Sequence, residues 1–110
     1  MSKTLSIDFD DTLCSKSNGE PVNGAAEALK QLKSEGCIIL ISSSRMNPEL
    51  WGELVKFREN EIADWMKKYD IPYDKIVSFK APADLYIDDK AYRFNGDWKA
   101  ALNEIKKLVQ

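Results

Sequence analysis

Ile7-Asp8-Phe9-Asp10-Asp11-Thr12-Leu13 continues directly from the β-prone run Thr4-Leu5-Ser6-Ile7, and within it Asp8, Asp10 and Thr12 stand two residues apart. Two carboxylates held about 4 Å apart repel by about 4 kcal/mol at an effective dielectric of about 20. Such a pair at the end of an otherwise buried strand calls for a cation. A second acidic pair, Asp88-Asp89, follows another apolar run, Leu85-Tyr86-Ile87. Two strand ends can therefore gather four carboxylates around one hard metal ion.

The rest of the chain supplies the sheet that such a gathering needs. Residues 14–22 are polar and contain Gly19 and Pro21, which reads as a loop. Asn23 offers an N-cap to a helix whose stripe of Ala26, Leu29 and Leu32 ends at Gly36, a favourable residue just past a helix. Residues 37–42 form a continuous, β-branched apolar run, the signature of a strand covered on both faces. Asn47-Pro48-Glu49 signals a second helix start. The apolar spacing beyond it fits either two helices broken near Asn60 or one long bent helix. Residues 75–79 and 85–88 read as a third and a fourth strand. A helix from Asp97 presents Trp98, Ala101, Leu102, Ile105, Leu108 and Val109 on one broad apolar face.

Strands alternating with helices predict one domain over residues 1–110, a three-layer, Rossmann-like α/β fold with an open parallel sheet and helices on both faces. Ligands of such sheets bind beyond the carboxyl ends of the strands. Asp8 to Thr12, Ser42 to Arg45, Lys80 and Asp88-Asp89 all fall at such ends.

Composition narrows the chemistry. The chain has 110 residues, 16 basic against 18 acidic, and a net charge of −2. No basic block exceeds two residues, which argues against nucleic-acid and membrane partners and for a small soluble one. There is no histidine. That removes the commonest general base and any Ser-His or Cys-His nucleophile, leaving carboxylates, lysine and hydroxyls. Cys14 and Cys37 have no CxxC spacing, so reduced thiols in a cytoplasmic protein are expected. No apolar run is long enough for a signal peptide or a membrane span.

The ordered set Asp-x-Asp-x-Thr, serine after an apolar strand, lysine, and Asp-Asp after another apolar strand resembles the haloacid dehalogenase superfamily of aspartate-nucleophile phosphotransferases. The resemblance extends from Ile7 to Trp98, and the stretch Lys80 to Ala91 is similar to that of small capless members. It implies a Mg²⁺-dependent phosphomonoester hydrolase, a phosphatase of small phosphorylated metabolites such as sugar phosphates or nucleotides. Asp8 would be the nucleophile forming an aspartyl-phosphate, and Asp10 the general acid and then base. Lys80 would pair with Asp8 and the phosphoryl oxygens.

For the phosphate-binding hydroxyl the resemblance favours Ser43, because Ser43-Ser44-Arg45 matches the family's threonine-x-arginine; Ser42 takes its place if the strand ends one residue earlier. Thr12 would order the loop, and Arg45 would either pair with an acid of segment 46–60 or touch substrate. The expected Mg²⁺ shell is Asp8, the Asp10 carbonyl and Asp89, with Asp88 binding directly or through water.

Three alternatives stand beside this reading. A receiver-like phosphoacceptor uses similar groups, but in a different order along the chain. A phosphotransferase or mutase could use the same aspartate. Taken singly, the motif aspartates are loop residues, Asp11 and Asp84 read as turn caps, and Trp51, Phe57, Trp65 and Tyr69 read as core. Neither residues 14–22 nor 46–74 are long enough for a cap domain. An open site of this kind accepts a bulky phosphorylated substrate or borrows a lid from a second copy in a homo-oligomer.

Overall fold

A computed structural model describes residues 3–109. Four parallel strands form a single sheet: β1 (Thr4–Asp8), β2 (Ile38–Ser42), β3 (Lys75–Val77) and β4 (Leu85–Ile87), in the order β3-β2-β1-β4. Helix α1 (Ala25–Ser34) links β1 to β2, while α2 (Pro48–Trp51) and α3 (Val55–Lys68) link β2 to β3. Helix α4 (Trp98–Leu108) follows β4. This is the α/β, Rossmann-like architecture that the strand and helix alternation predicts.

Alternation along the strands separates two faces. In register, Leu5 pairs with Ile39 and Ile7 with Ile41. These four side chains pack with Leu29 of α1 and Ile62 and Met66 of α3 in the main core, which Phe9 and Leu13 extend. Each such aliphatic side chain contributes about 1.5–3 kcal/mol by leaving water. The other face carries Ser6, Asp8, Ser42 and Tyr86, whose positions the same register aligns. No helix links β3 to β4; residues 78–84 cross as a loop, and the Tyr86 hydroxyl donates to the Ala81 carbonyl at 2.7 Å.

Two aspartates pin the strand starts, at the end of the sheet away from the carboxyl ends of the strands. Asp74 donates its N–H to the Ile39 carbonyl at 2.8 Å and accepts from Ile39 N at 2.7 Å. Asp84 does the same with Thr4, at 2.8 Å each way. Lys33 Nζ joins the first pair at 2.7 Å and also donates to the Cys37 carbonyl. The Ile39 N–H and then Lys33 hold the Asp74 carboxyl below the usual carboxylate range. Asp84 is thereby a strand-edge clamp, far from a metal role.

Several local expectations need correction. The N-cap of α1 is Gly24 at φ 86°, with no side-chain cap, rather than Asn23. The left-handed backbone at that position is one glycine adopts without steric cost. At the other end Gly36 and Cys37 donate to Lys33 and Leu32 carbonyls, closing the helix as expected. The helical excursion after β2 breaks at Gly52, φ 52°, and not near Asn60, which lies inside α3. Phe57 is 59% exposed rather than core.

Helix α4 is the largest departure. Ala101 is fully buried, but Trp98, Leu102, Leu108 and Val109 are 50–76% exposed. The reason is geometric: eleven residues of helix span about 16 Å, whereas the three-residue edge strand β4 offers about 10 Å. The radius of gyration, 15.3 Å, exceeds the roughly 13 Å of a compact domain this size. Among the described residues no helix is long and apolar enough to cross a membrane.

Candidate functional site

The carboxyl ends of β1 and β4 meet where their ladder ends, at Ile7 and Ile87. Asp8 and Asp88 come next on adjacent strands, and Asp89 follows. One carboxylate oxygen from each of Asp8, Asp88 and Asp89 lies within 4.8 Å of the others. Burial pushes the Asp8 carboxyl up to about 6, and the Asp88 and Asp89 charges push in the same direction. The Thr12 hydroxyl opposes this by donating to Asp8 Oδ2 at 3.3 Å, and Asp10 adds a smaller upward push. Three oxygen donors this close, with mutual repulsion to relieve, suit a hard divalent cation such as Mg²⁺.

Asp10 does not join that cluster with its carboxylate. Its side chain meets Arg45, whose Nη2 is 2.9 Å from Oδ1 and whose Nε donates to Oδ2 at 3.4 Å. Arg45 also lies 5.3 Å from the Phe9 ring centroid. The expected partner from segment 46–60 is therefore replaced by Asp10, because the short helical turn Ser44–Met46 swings residue 45 back over the β1 loop. Asp11 sits at φ 62° and accepts from Lys16 N at 2.8 Å, capping the turn.

Strand β2 ends at Ser42, which pairs in register with Asp8. Ser42 thus shares the face of Asp8. Ser43 is buried, starts the Ser44–Met46 turn, and accepts from Arg45 N at 3.1 Å, which leaves its own proton free to donate. Ser44 is exposed. All three serines line the same open groove as Asp8, Lys80 and Asp88, a cavity of about 900 Å³.

Lys80 lies elsewhere than expected. It makes no ion pair with Asp8; its Nζ stands 4.9 Å from the Tyr86 ring centroid. Loop residues 78–84 carry it across the sheet face, so it approaches the groove over Tyr86 and not from directly beside Asp8. The groove also contains Phe79, expected at the end of the third strand but lying just past β3, and Tyr92 and Arg93 from the loop before α4. For Tyr86 a signal existed: two residues before Asp88 in a strand means the same face. For Tyr92, in a loop, none did.

The 14–22 loop is tied down, with Trp65 Nε1 donating to the Gly19 carbonyl at 2.7 Å and Ser15 N to the Glu20 carbonyl at 2.9 Å. Trp65 in turn packs edge-on to Phe9 and against Tyr69.

The fold and site together define an α/β domain of parallel-sheet type with an acidic centre at the strand ends. No protein-family profile matches the chain, and no curated protein is significantly similar to it. Among solved structures, a structural-genomics target from Vibrio cholerae is 29% identical with a TM-score of 0.58, covering 96% of this chain and 95% of that one. A chain of a Pnkp1/Rnl/Hen1 complex is 23% identical with a TM-score of 0.47, covering 94% of this chain and 34% of that one.

Proposed function

We propose that the protein is a Mg²⁺-dependent phosphomonoester hydrolase of haloacid dehalogenase type, working through an aspartyl-phosphate on Asp8. The observation that carries this is the convergence of Asp8, Asp88 and Asp89 within 4.8 Å at the carboxyl ends of two adjacent parallel strands. Their residue types and order match the motifs that suggest the family.

A bound Mg²⁺ would be held by Asp8, Asp89 and the Asp10 carbonyl, with Asp88 as direct or water-mediated ligand, and would neutralise charge and orient the ester. Asp8 Oδ attacks phosphorus in line, and the bond from phosphorus to the leaving oxygen breaks. Asp10 gives that oxygen a proton. It then takes one from water, whose attack on the acyl-phosphate releases phosphate and restores Asp8. The Ser43 or Ser42 hydroxyl donates to a phosphoryl oxygen, and Ser44 N–H lies in the same turn. Lys80 swings from Tyr86 to the incoming phosphoryl group. Arg45 orients Asp10, and its planar fork suits a phosphoryl oxygen once the ester docks. Free, buried Cys14 and Cys37 fit a reducing, cytoplasmic setting.

The test is phosphate release from p-nitrophenyl phosphate, sugar phosphates and nucleotides, with Mg²⁺ and with chelator, for wild type, Asp8→Asn and Asp10→Asn. Metal-dependent turnover lost in both variants supports the proposal. A stable phosphoprotein without turnover would make the chain a phosphoacceptor, and phosphate passed to a second alcohol would make it a transferase.

A further inference from the structure

The groove that begins at Asp8 is much larger than a phosphoryl group requires. Its volume of about 900 Å³ is at the upper end of sites for whole organic ligands, roughly 300–1,000 Å³. Three aromatic rings share its non-polar lining with Leu85, Ile87 and Ala91. Tyr86 shares the sheet face of Asp8, and Phe79 and Tyr92 border the same space. Phe79 leaves 59% and Tyr86 41% of its surface in water, with Lys80 standing over the Tyr86 ring.

The charges of the groove are uneven once its acids are accounted for. Asp84 is held by Thr4 N, and Asp8 and Asp88 belong to the acidic cluster. Lys80 rests on Tyr86, and the exposed Arg93 has neither an ion pair nor a side-chain hydrogen bond among the described residues. Two cations thus face a space walled in part by aromatic rings.

We infer that this groove binds the leaving group of a phosphorylated nucleoside, stacking the base on Phe79 and Tyr92 beside Tyr86 and meeting a second phosphate with Arg93. This rests on the phosphatase reading for the reacting end and goes beyond it for the rest of the substrate. Base-on-ring stacking is tolerant of base identity because every base has a π-face, so discrimination is expected between base and no base, not among bases. A sugar phosphate alone would leave the rings wet and Arg93 unanswered. The chain's net charge of −2 favours a nucleotide over a long polyanionic strand.

Three ligands separate the elements: ribose 5-phosphate, adenosine 5′-monophosphate, which adds the base, and adenosine 3′,5′-bisphosphate, which adds a phosphate. Wild type with Mg²⁺ is expected to show kcat/KM at least about tenfold higher with the base than without it. In Phe79→Leu and Tyr92→Leu that ratio falls toward one. In Arg93→Gln the advantage of the bisphosphate over the monophosphate disappears while the advantage of the base persists. Equal turnover of ribose 5-phosphate and adenosine 5′-monophosphate overturns the inference and leaves the phosphatase reading intact. If no ester is turned over, calorimetry with the same three ligands decides: base-dependent binding sustains the inference and ends the phosphatase reading, and no binding ends both.

Discussion

Removing one carboxylate from the acidic cluster should stabilise the metal-free protein. Asp8, Asp88 and Asp89 offer oxygens within 4.8 Å of one another. At that distance one pair of charges costs between about 1 kcal/mol in bulk water and about 3.5 kcal/mol at an effective dielectric of about 20. Asp88 and Asp89 are exposed, so the lower end applies, about 1 kcal/mol per partner. Asp89→Asn therefore gains about 1–2 kcal/mol in chelator at pH 7.5, and Tm rises by about 4–8 °C at about 4 °C per kcal/mol. The gain depends on pH with a definite sign. The Asp8 carboxyl is pushed up to about 6 in the folded state, so the native protein binds that proton more tightly than the unfolded chain. Stability from this source is present at low pH and is lost as pH rises through about 4 to 6. At pH 5 Asp8 is largely protonated, and the advantage of Asp89→Asn shrinks.

Mg²⁺ is expected to reverse the order: it stabilises wild type by mass action, by about 2.7 kcal/mol at a hundredfold over Kd, and the variant little. Differential scanning fluorimetry of both proteins at pH 5 and 7.5, with and without Mg²⁺, measures all four quantities. A variant less stable than wild type in chelator at both pH values, or equally stabilised by Mg²⁺, refutes the reasoning.

Other consequences are as direct. Thr12→Val removes the hydroxyl that favours the charged form of Asp8, so the acid limb of the pH–activity profile moves to higher pH. Arg45→Lys keeps a charge but loses the two-point contact with Asp10, and kcat should fall at least about tenfold with smaller change in KM. Asp74→Ala opens the clamp on Ile39 and Lys33 and should cost about 1–2 kcal/mol in chemical denaturation, with no effect on KM because it lies at the opposite sheet edge. Trp65→Phe breaks the tether to Gly19 and should raise proteolytic cleavage within residues 14–22.

The strands and their ends were legible because each is an apolar run punctuated by polar or turn residues, and a parallel sheet sends the ends of such runs to one edge. Hence Asp8 and Asp88-Asp89 were readable as neighbours from opposite ends of the chain. Contacts that depend on loop path were not. Arg45 reaches Asp10 only because residues 44–46 form a tight turn, and Lys80 settles on Tyr86 because the β3–β4 link is a loop instead of a helix. The break at Gly52 was hidden by helical spacing that runs through it from Leu50 to Leu54. The exposed face of α4 could not be foreseen either, since amphipathic spacing states that a face is apolar and not that a sheet is wide enough to cover it.

The aspartyl-phosphate itself is the most direct quantity to measure. Wild type is mixed with p-nitrophenyl phosphate and Mg²⁺, quenched within a turnover, and treated with borohydride, which reduces an acyl-phosphate on aspartate to homoserine that peptide mass spectrometry locates. The account predicts homoserine at position 8, dependent on both substrate and metal. Release of phosphate with no reduced residue, or with the reduced residue anywhere else, would contradict it.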